Sequence, residues 1–247
     1  MSEQVMFQPA YLLHHRAVGE RDAVFTLFTQ YYGKIDVWVK GSSSEFGVIP
    51  SFKPLLVSWR SKGNHKILTE IEIDRNYPLL CSTSLVSNYL YSALYINELN
   101  YRFLPELASS EVLYGHYIWL LESMAKQVFI EPVLRIYELY LLLETGLVSD
   151  IFSDIITGQS VVPDKYYRYL QHPEFGFGVS EAEGIFNEKY PSMCFSGLSL
   201  IKFQKHNLDD ETSMLDVKRL MRVMIHSALN GKSLKSRDLF INFKRDA

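Results

Sequence analysis

The sequence predicts an α+β protein, with a small five-stranded β-barrel at the N-terminus followed by a mainly α-helical domain. Three observations predict it. The first 80 residues hold five short segments rich in β-branched and aromatic residues, separated by turn chemistry. From Leu85 onward the apolar spacing changes from two to three and four. A chain of 247 residues that is 47% hydrophobic is also long enough to bury such a core, as one large domain or two modest ones.

The strand segments are "AYLLHHRA" (10–17), "AVFTLFTQ" (23–30), "KIDVWVKG" (34–41), "PLLVSWRS" (54–61) and "HKILTEIEI" (65–73). Gly19, Gly33 and "SKGN" (61–64) supply the breaks. Five strands with one long loop at 41–53 fit a closed Greek-key barrel of the oligonucleotide-binding (OB) type, and an open sheet packed on helices is the competing architecture. In "KIDVWVKGSSSEF" (34–46), strand alternation sends Ile35, Val37 and Val39 one way and Lys34, Asp36, Trp38 and Lys40 the other.

Helical periodicity runs from Leu85 to Phe103, with Ser82 or Ser84 as the expected cap, and again over 110–128. "EPVLRIYELYLLLETG" (131–146) starts with Pro132 at the first helical position, stops at Gly146 and is apolar nearly all round, which predicts a central helix. Residues 148–212 form a less regular β and loop insert. Within it "YYRYLQHPEFGFGV" suggests a hairpin, and "CFSGLSLIKF" a strand or an extended loop. In "SMLDVKRLMRVMIHSALNG", Ser213 and Asp216 have the spacing of a capping box and Gly231 ends the helix. Ser236 is the expected cap of a short final helix. The expected domains are 1–80 for the barrel and 81–247 for the helical part.

No apolar run approaches the roughly 18–20 residues that span a bilayer, and residues 1–9 lack a signal-peptide pattern, so a cytoplasmic protein without membrane contact is expected. Cys81 and Cys194 have neither the number nor the spacing for a disulfide framework or a cysteine zinc site. The net charge of −3 hides an asymmetry. Residues 1–80 are near neutral, residues 81–212 carry 8 basic against 17 acidic side chains, and residues 213–247 carry 8 against 3. Basic ends around an acidic middle suit a polyanion partner, or a merely solvated surface.

Catalytic signals are lacking. "NGKS" (230–233) resembles the end of a phosphate-binding loop, but His226 stands where that loop needs a glycine, and the segment follows a helix. Adjacent strand residues His14 and His15 face opposite sides and make no two-histidine metal site by themselves. Binding signals are fuller. Arg16, Lys34, Lys40, Arg60, Lys62 and Lys66 are interleaved with Trp38 and Trp59 across the barrel segment, the pairing of cations with stacking rings that holds single-stranded nucleic acid. The competing reading packs the tryptophans inward. Lys218, Arg219, Arg222, Lys232, Lys235 and Arg237 form a second basic group, either a phosphate-contacting face or a solvated one. Arg135 lies among Leu, Ile, Val and Tyr and needs an anion, either Glu131 or Glu138 within helical reach or a carboxylate from a partner.

Several blocks in order along the chain resemble the RecO family of bacterial recombination mediators. They are residues 10–41, "FKPLLVSWRSKGNHKILTEIE" (52–72), "LYSALYINELNYRFL" (90–104), "EPVLRIYELYLLLETGL" (131–147), "YRYL" (167–170) and "GKSLKSRDLF" (231–240). The resemblance implies an OB barrel followed by helices, no catalytic activity and no cofactor. It also implies binding of single- and double-stranded DNA, annealing of complementary strands, capture of the acidic C-terminal tail of the single-stranded DNA-binding protein, and cooperation with RecR in loading a recombinase. The free protein is expected to be a monomer associated with the nucleoid. On this resemblance Arg135 matches the arginine that meets the tail's terminal carboxylate, with Leu139 and Leu142 as groove-lining neighbours by helical spacing. The barrel cations become the DNA track and Ser42–Ser44 a flap beside it. Some members carry a four-cysteine zinc site in the stretch corresponding to 148–178; this chain has no cysteine there, so no metal is expected. The alternatives are a general RNA-binding OB protein and a protein-only adaptor.

Overall fold

A computed structural model describes residues 4–20, 22–41, 49–63, 65–182 and 193–246; the predicted flap at Ser42–Ser44 and the Lys62 side chain lie outside the described part. Strands β1 (Gln4–Val18), β2 (Asp22–Thr29), β3 (Gly33–Val39), β4 (Leu55–Lys62) and β5 (His65–Ile73) close a barrel in the order β1-β2-β3-β5-β4. The predicted barrel forms, rather than the open sheet. All pairs are antiparallel except β3 with β5.

β1 begins six residues earlier than its sequence pattern suggests, because it serves two partners. Gln4–Ala10 pair with β4 and Ala10–Val18 with β2. Bulges between Val5 and Gln8 and between Leu12 and His14 bend it from one to the other, with Phe7 at φ +49° in the first. Pro9 hides the extension in the sequence; at the switch its missing N–H matters little, and its carbonyl accepts from Gln30 N at 3.0 Å. Inside the barrel pack Val5, Leu12, Leu27, Ile35, Val37, Val39, Val57, Trp59 and Leu68. Alternation along β3 is as predicted. Trp59 is a core residue, 1% exposed and edge-to-face with Tyr32 at 5.1 Å, so of its two readings the inward packing holds.

The barrel and its first helices form one compact unit, residues 1–130 with 234–247. The helix expected from Leu85 forms as α2 (Ser87–Phe103), and a short helix that the periodicity did not predict, α1 (Pro78–Ser82), precedes it. Neither Ser82 nor Ser84 caps α2; Val86 holds the cap position without a side-chain bond. Ser82 instead ends α1, bonding back to Pro78 O at 2.9 Å, while Lys53 Nζ donates to Leu80 O, Cys81 O and Thr83 O and so closes the C-terminus of α1. α3 (Glu111–Ala125) is capped by Ser110, which accepts from Leu113 N at 3.1 Å.

Outward-facing Tyr11 and Phe28 of the barrel meet Tyr114 and Tyr117 of α3, with ring centroids 5.0–5.9 Å apart. The Tyr117 hydroxyl donates to Asn97 Oδ1, and Asn97 Nδ2 donates to Leu12 O at 3.1 Å, joining α3, α2 and β1 in one buried relay. Leu107 N donates to Lys34 O at 3.0 Å, so the link between α2 and α3 lies along β3. Gly33 permits this approach: its φ is +65°, and a Cβ there would stand 2.2 Å from Ala108 O.

The last helix, α7 (Lys235–Asp246), belongs to the same unit, and Ser236 is not its cap. Ser236 is 5% exposed, and its N–H and hydroxyl both donate to Glu98 Oε2 of α2, at 2.8 and 2.7 Å. Lys235 N donates to Glu98 Oε1 at 3.0 Å. Glu98 is therefore a cap supplied from another helix.

The second unit spans residues 131–233. The apolar helix α4 (Ile130–Glu144) buries Val133, Leu134, Ile136, Tyr137, Leu139, Leu141 and Leu142. Pro132 is its third residue rather than its first, equally free of a lost bond because no N–H of the first turn has an intrahelical partner. Gly146 ends it at φ +66°, with Leu147 N donating to Leu142 O and Gly146 N to Leu143 O. The predicted hairpin is β6 (Tyr166–His172) with β7 (Gly176–Glu181), joined by β8 (Cys194–Ser196) in the order β7-β6-β8. "CFSGLSLIKF" is neither all strand nor loop: after β8 it turns into α5 (Gly197–Gln204) at Gly197, where a Cβ would meet Val162 O at 2.0 Å. α6 (Glu211–Ala228) starts two residues earlier than Ser213, and Asp210, not Ser213, is its cap, accepting from Ser213 N at 2.8 Å. Asp216 is drawn away to Ser199 Oγ, Ser196 N and Arg219. In the insert, Asp154 accepts from Ile156 N, Thr157 N, Ser180 Oγ and Glu181 N at 2.7–3.0 Å.

Gly33→Ala should combine backbone strain with a steric clash and lower stability by about 2–4 kcal/mol, measured as a fall in the urea midpoint at constant m-value. Desolvation pushes the Glu98 pKa up, but hydrogen bonds from Ser236, Lys235 and Arg102 outweigh it and hold the carboxyl below the usual glutamate range. A depressed folded-state pKa means that its stabilisation is complete above the unfolded value of about 4.3 and is lost as pH falls through the folded one. Amide exchange in the first turn of α7 should accelerate over that acidic window in the native chain and show no such transition in Glu98→Gln.

Candidate nucleic-acid interface

Strand register sorts the barrel cations. One outward-facing row is Tyr11, Phe28 and Lys34, the row covered by the helices. Lys34 is accordingly engaged: its Nζ donates to Tyr101 O of α2 at 2.9 Å and lies 5.7 Å from the Tyr101 ring centroid. Burial there lowers its ammonium pKa, with Glu106 and Asp36 opposing. The next row runs His14, Thr26, Asp36, with Thr26 Oγ donating to Asp36 Oδ1 at 2.6 Å.

The third row carries Arg16 of β1, Val24, Trp38 of β3, Ile67 and Arg60 of β4. Arg16 and Arg60 are exposed, and Trp38 is half-buried, edge-to-face with His65 at 5.7 Å. Two inter-strand steps, roughly 10 Å by ordinary sheet spacing, separate Trp38 from each arginine. These three make a band around the barrel instead of a single cluster. Lys40 is exposed just past β3, and Lys66 pairs with Val37 and Ser61, on the opposite side parity from Trp38.

The second basic group does not stay together. Lys218 Nζ meets Glu131 Oε1 at 2.6 Å, and Arg219 meets Asp216 Oδ1 at 2.6 Å, donates to Cys194 O and lies over the Phe195 ring. Both side chains tie the second unit together. Arg222 and Lys232 are exposed on that unit, whereas Lys235 and Arg237 are exposed on the unit that holds the barrel.

Arg135 is 7% exposed, with Nη1 at 2.9 Å from the fully buried Glu138 and Nη2 at 3.9 Å from Glu131. Both acids expected from helical spacing are therefore its neighbours. Glu131 Oε1 lies between two cations, Lys218 and Arg135. Leu139 and Leu142 are 5% and 0% exposed, so they are core residues rather than the lining of an open groove. Among the described residues no three His, Cys, Asp or Glu side chains gather to hold a metal, and no helix is long and apolar enough to cross a membrane.

Sequence reasoning missed Tyr101, 41% exposed between Lys34 and His14. Its only signal is an aromatic residue on the polar side of a predicted helix.

Strand order, the parallel closure of β3 on β5 and the outward arginine–tryptophan row define the class, an OB-type barrel docked on helices through its first strand. Residues 1–77 match the family model described as Recombination protein O N terminal, and residues 87–238 match Recombination protein O C terminal. The chain is 32% identical over 237 residues to the DNA repair protein RecO of Vibrio cholerae serotype O1, covering 94% of this chain and 92% of that one. It is 32% identical over 243 residues to the protein of the same name from Vibrio parahaemolyticus, at 97% and 94% coverage, and 30% identical over 238 residues to that of Aliivibrio fischeri, at 95% and 94%. The chain belongs to the RecO family of DNA repair proteins, with a role in DNA repair and recombination.

Proposed function

We propose that this protein is a non-enzymatic mediator that binds single- and double-stranded DNA on its barrel, anneals complementary strands, and receives the acidic tail of the single-stranded DNA-binding protein on its helical part, acting with RecR to help load recombinase. Residues 1–80 serve as the DNA-binding domain and 81–247 as the partner domain. The observation that carries the DNA reading is the outward row in which exposed Arg16 and Arg60 flank Trp38. Guanidinium groups meet phosphates while the indole offers a face to a base. Lys40, Lys66 and Arg237 add charge on the barrel unit, and Arg222 and Lys232 on the second unit.

For the tail, support comes from the alternating charges Lys218, Glu131, Arg135 and Glu138 along α4 and α6. A carboxylate that displaced Glu131 would meet Lys218 and Arg135 together.

Affinity for a labelled single strand should fall linearly with the logarithm of salt concentration. Arg16→Ala and Arg60→Ala should each make the slope shallower by about 0.7, with thermal stability unchanged because both side chains are exposed. A salt-independent affinity, or preference for matched RNA over DNA, would overturn the DNA reading. For the tail, Lys218→Ala should weaken binding of a short acidic peptide with a free C-terminal carboxylate by about tenfold, close to 1.4 kcal/mol, and cost no more than about 1 kcal/mol of stability, because its pair with Glu131 is partly exposed. Arg135→Ala should lose the peptide and also about 3–5 kcal/mol of stability, since Glu138 stays buried after losing its cation. Unchanged peptide affinity in a folded Arg135 variant would sink the assignment.

A further inference from the structure

Strand β1 and helix α2 bring cations from the two ends of the chain to one place. His14 and Arg16, two apart on β1 beyond its second bulge, project from the same outward side about 7 Å apart. The His14 ring lies 5.0 Å from that of Tyr101 on α2. One helical turn before Tyr101, Glu98 accepts from Lys235 N and Ser236 N, which pins the start of α7 to the same stretch of α2. Arg16 and Lys235 are both exposed, and neither makes an ion pair among the described residues.

The charged and titratable groups that act on His14 come from several elements around it. β1 supplies His15 and Arg16, α7 supplies Lys235, α2 supplies Tyr101, and β3 supplies Asp36, reached across Thr26 of β2 and already accepting its hydroxyl. Asp36 is the acid that acts on His14 against these cations, while Glu98 is engaged by Lys235 N, Ser236 and Arg102.

We infer that His14, Arg16 and Lys235 form a phosphate site for a single nucleic-acid strand, and that His14 takes up a proton when the phosphate docks. The site rests on the DNA-binding reading of the barrel and adds to it a contact that joins the barrel to the last helix. Burial, then the neighbouring His15 and Lys235, hold the His14 imidazole below its ordinary pKa, with Asp36 opposing. In the free protein the neutral ring is accordingly favoured more than in an ordinary histidine. A docked phosphate supplies the missing negative charge, favours the imidazolium, and makes affinity rise as pH falls.

The test uses the full chain and a labelled oligothymidylate, by fluorescence anisotropy at fixed salt, at pH 7.5 and pH 5.5. Native affinity should be about three- to tenfold higher at the lower pH, the range for one linked proton. His14→Gln should bind and lose most of that rise, while Arg16→Ala and Lys235→Ala weaken binding at both pH values. In parallel, the His14 ring resonance should titrate at a higher pH with the oligonucleotide than without it. A native-like pH response in His14→Gln, or an unmoved His14 titration, would refute the protonated site while leaving DNA binding in place. Absence of any binding at low salt at either pH would instead remove the DNA-binding reading itself.

Discussion

A strand cannot pair with two others that lie in different directions unless it bends. β1 must meet β4 with its first half and β2 with its second, and the two bulges that allow this set most of the remaining geometry of the barrel unit. Because the second bulge inserts a residue before His14, Tyr11, Leu12 and Leu13 are buried in succession instead of alternating. Tyr11 faces the helices, Leu12 fills the barrel and offers its carbonyl to Asn97, and the strand then resumes with His14 and Arg16 turned outward. Closure, docking of α2 and α3, and exposure of the outward cations are one event in β1.

The docking relay is buried, which raises the stakes of each bond in it. Asn97 is 6% exposed and Tyr117 is fully buried, so loss of either partner leaves a polar group without water, a cost of about 1–3 kcal/mol per group. Around the relay, four aromatic rings meet in tilted and edge-to-face contacts, and Gly33 lets the α2–α3 link lie against β3 at backbone distance. Hydrophobic area supplies most of the attraction; the relay and the glycine select one docking geometry.

Cations that look alike in the sequence have separate fates here. Lys53 closes a helix end, Lys34 bonds a carbonyl and covers a tyrosine, and Arg219 joins β8 to α6. Arg16, Lys40, Arg60 and Arg222 stay exposed. A basic residue is drawn inward where unsatisfied carbonyls or a carboxylate lie within reach of its long stem, and remains in solvent otherwise. Arg135 follows the same rule on α4, beside Glu138.

By itself the sequence determined the barrel strands, the alternation of β3, the apolar helix α4 with its glycine stop, and the hairpin of β6 and β7. Each depends on neighbours within a few residues: side-chain period, turn chemistry and glycine at positive φ. What only the tertiary structure decided were the early start of β1, the short helix α1 before α2, the Asp210 cap, the Glu98 cap of α7, the burial of Trp59, and which lysines and arginines face solvent. All of these turn on partners that lie far along the chain or that compete for one hydrogen bond. Spacing along a sequence records which groups are available, but which of them meet is settled by the packing that brings distant backbone donors and acceptors together.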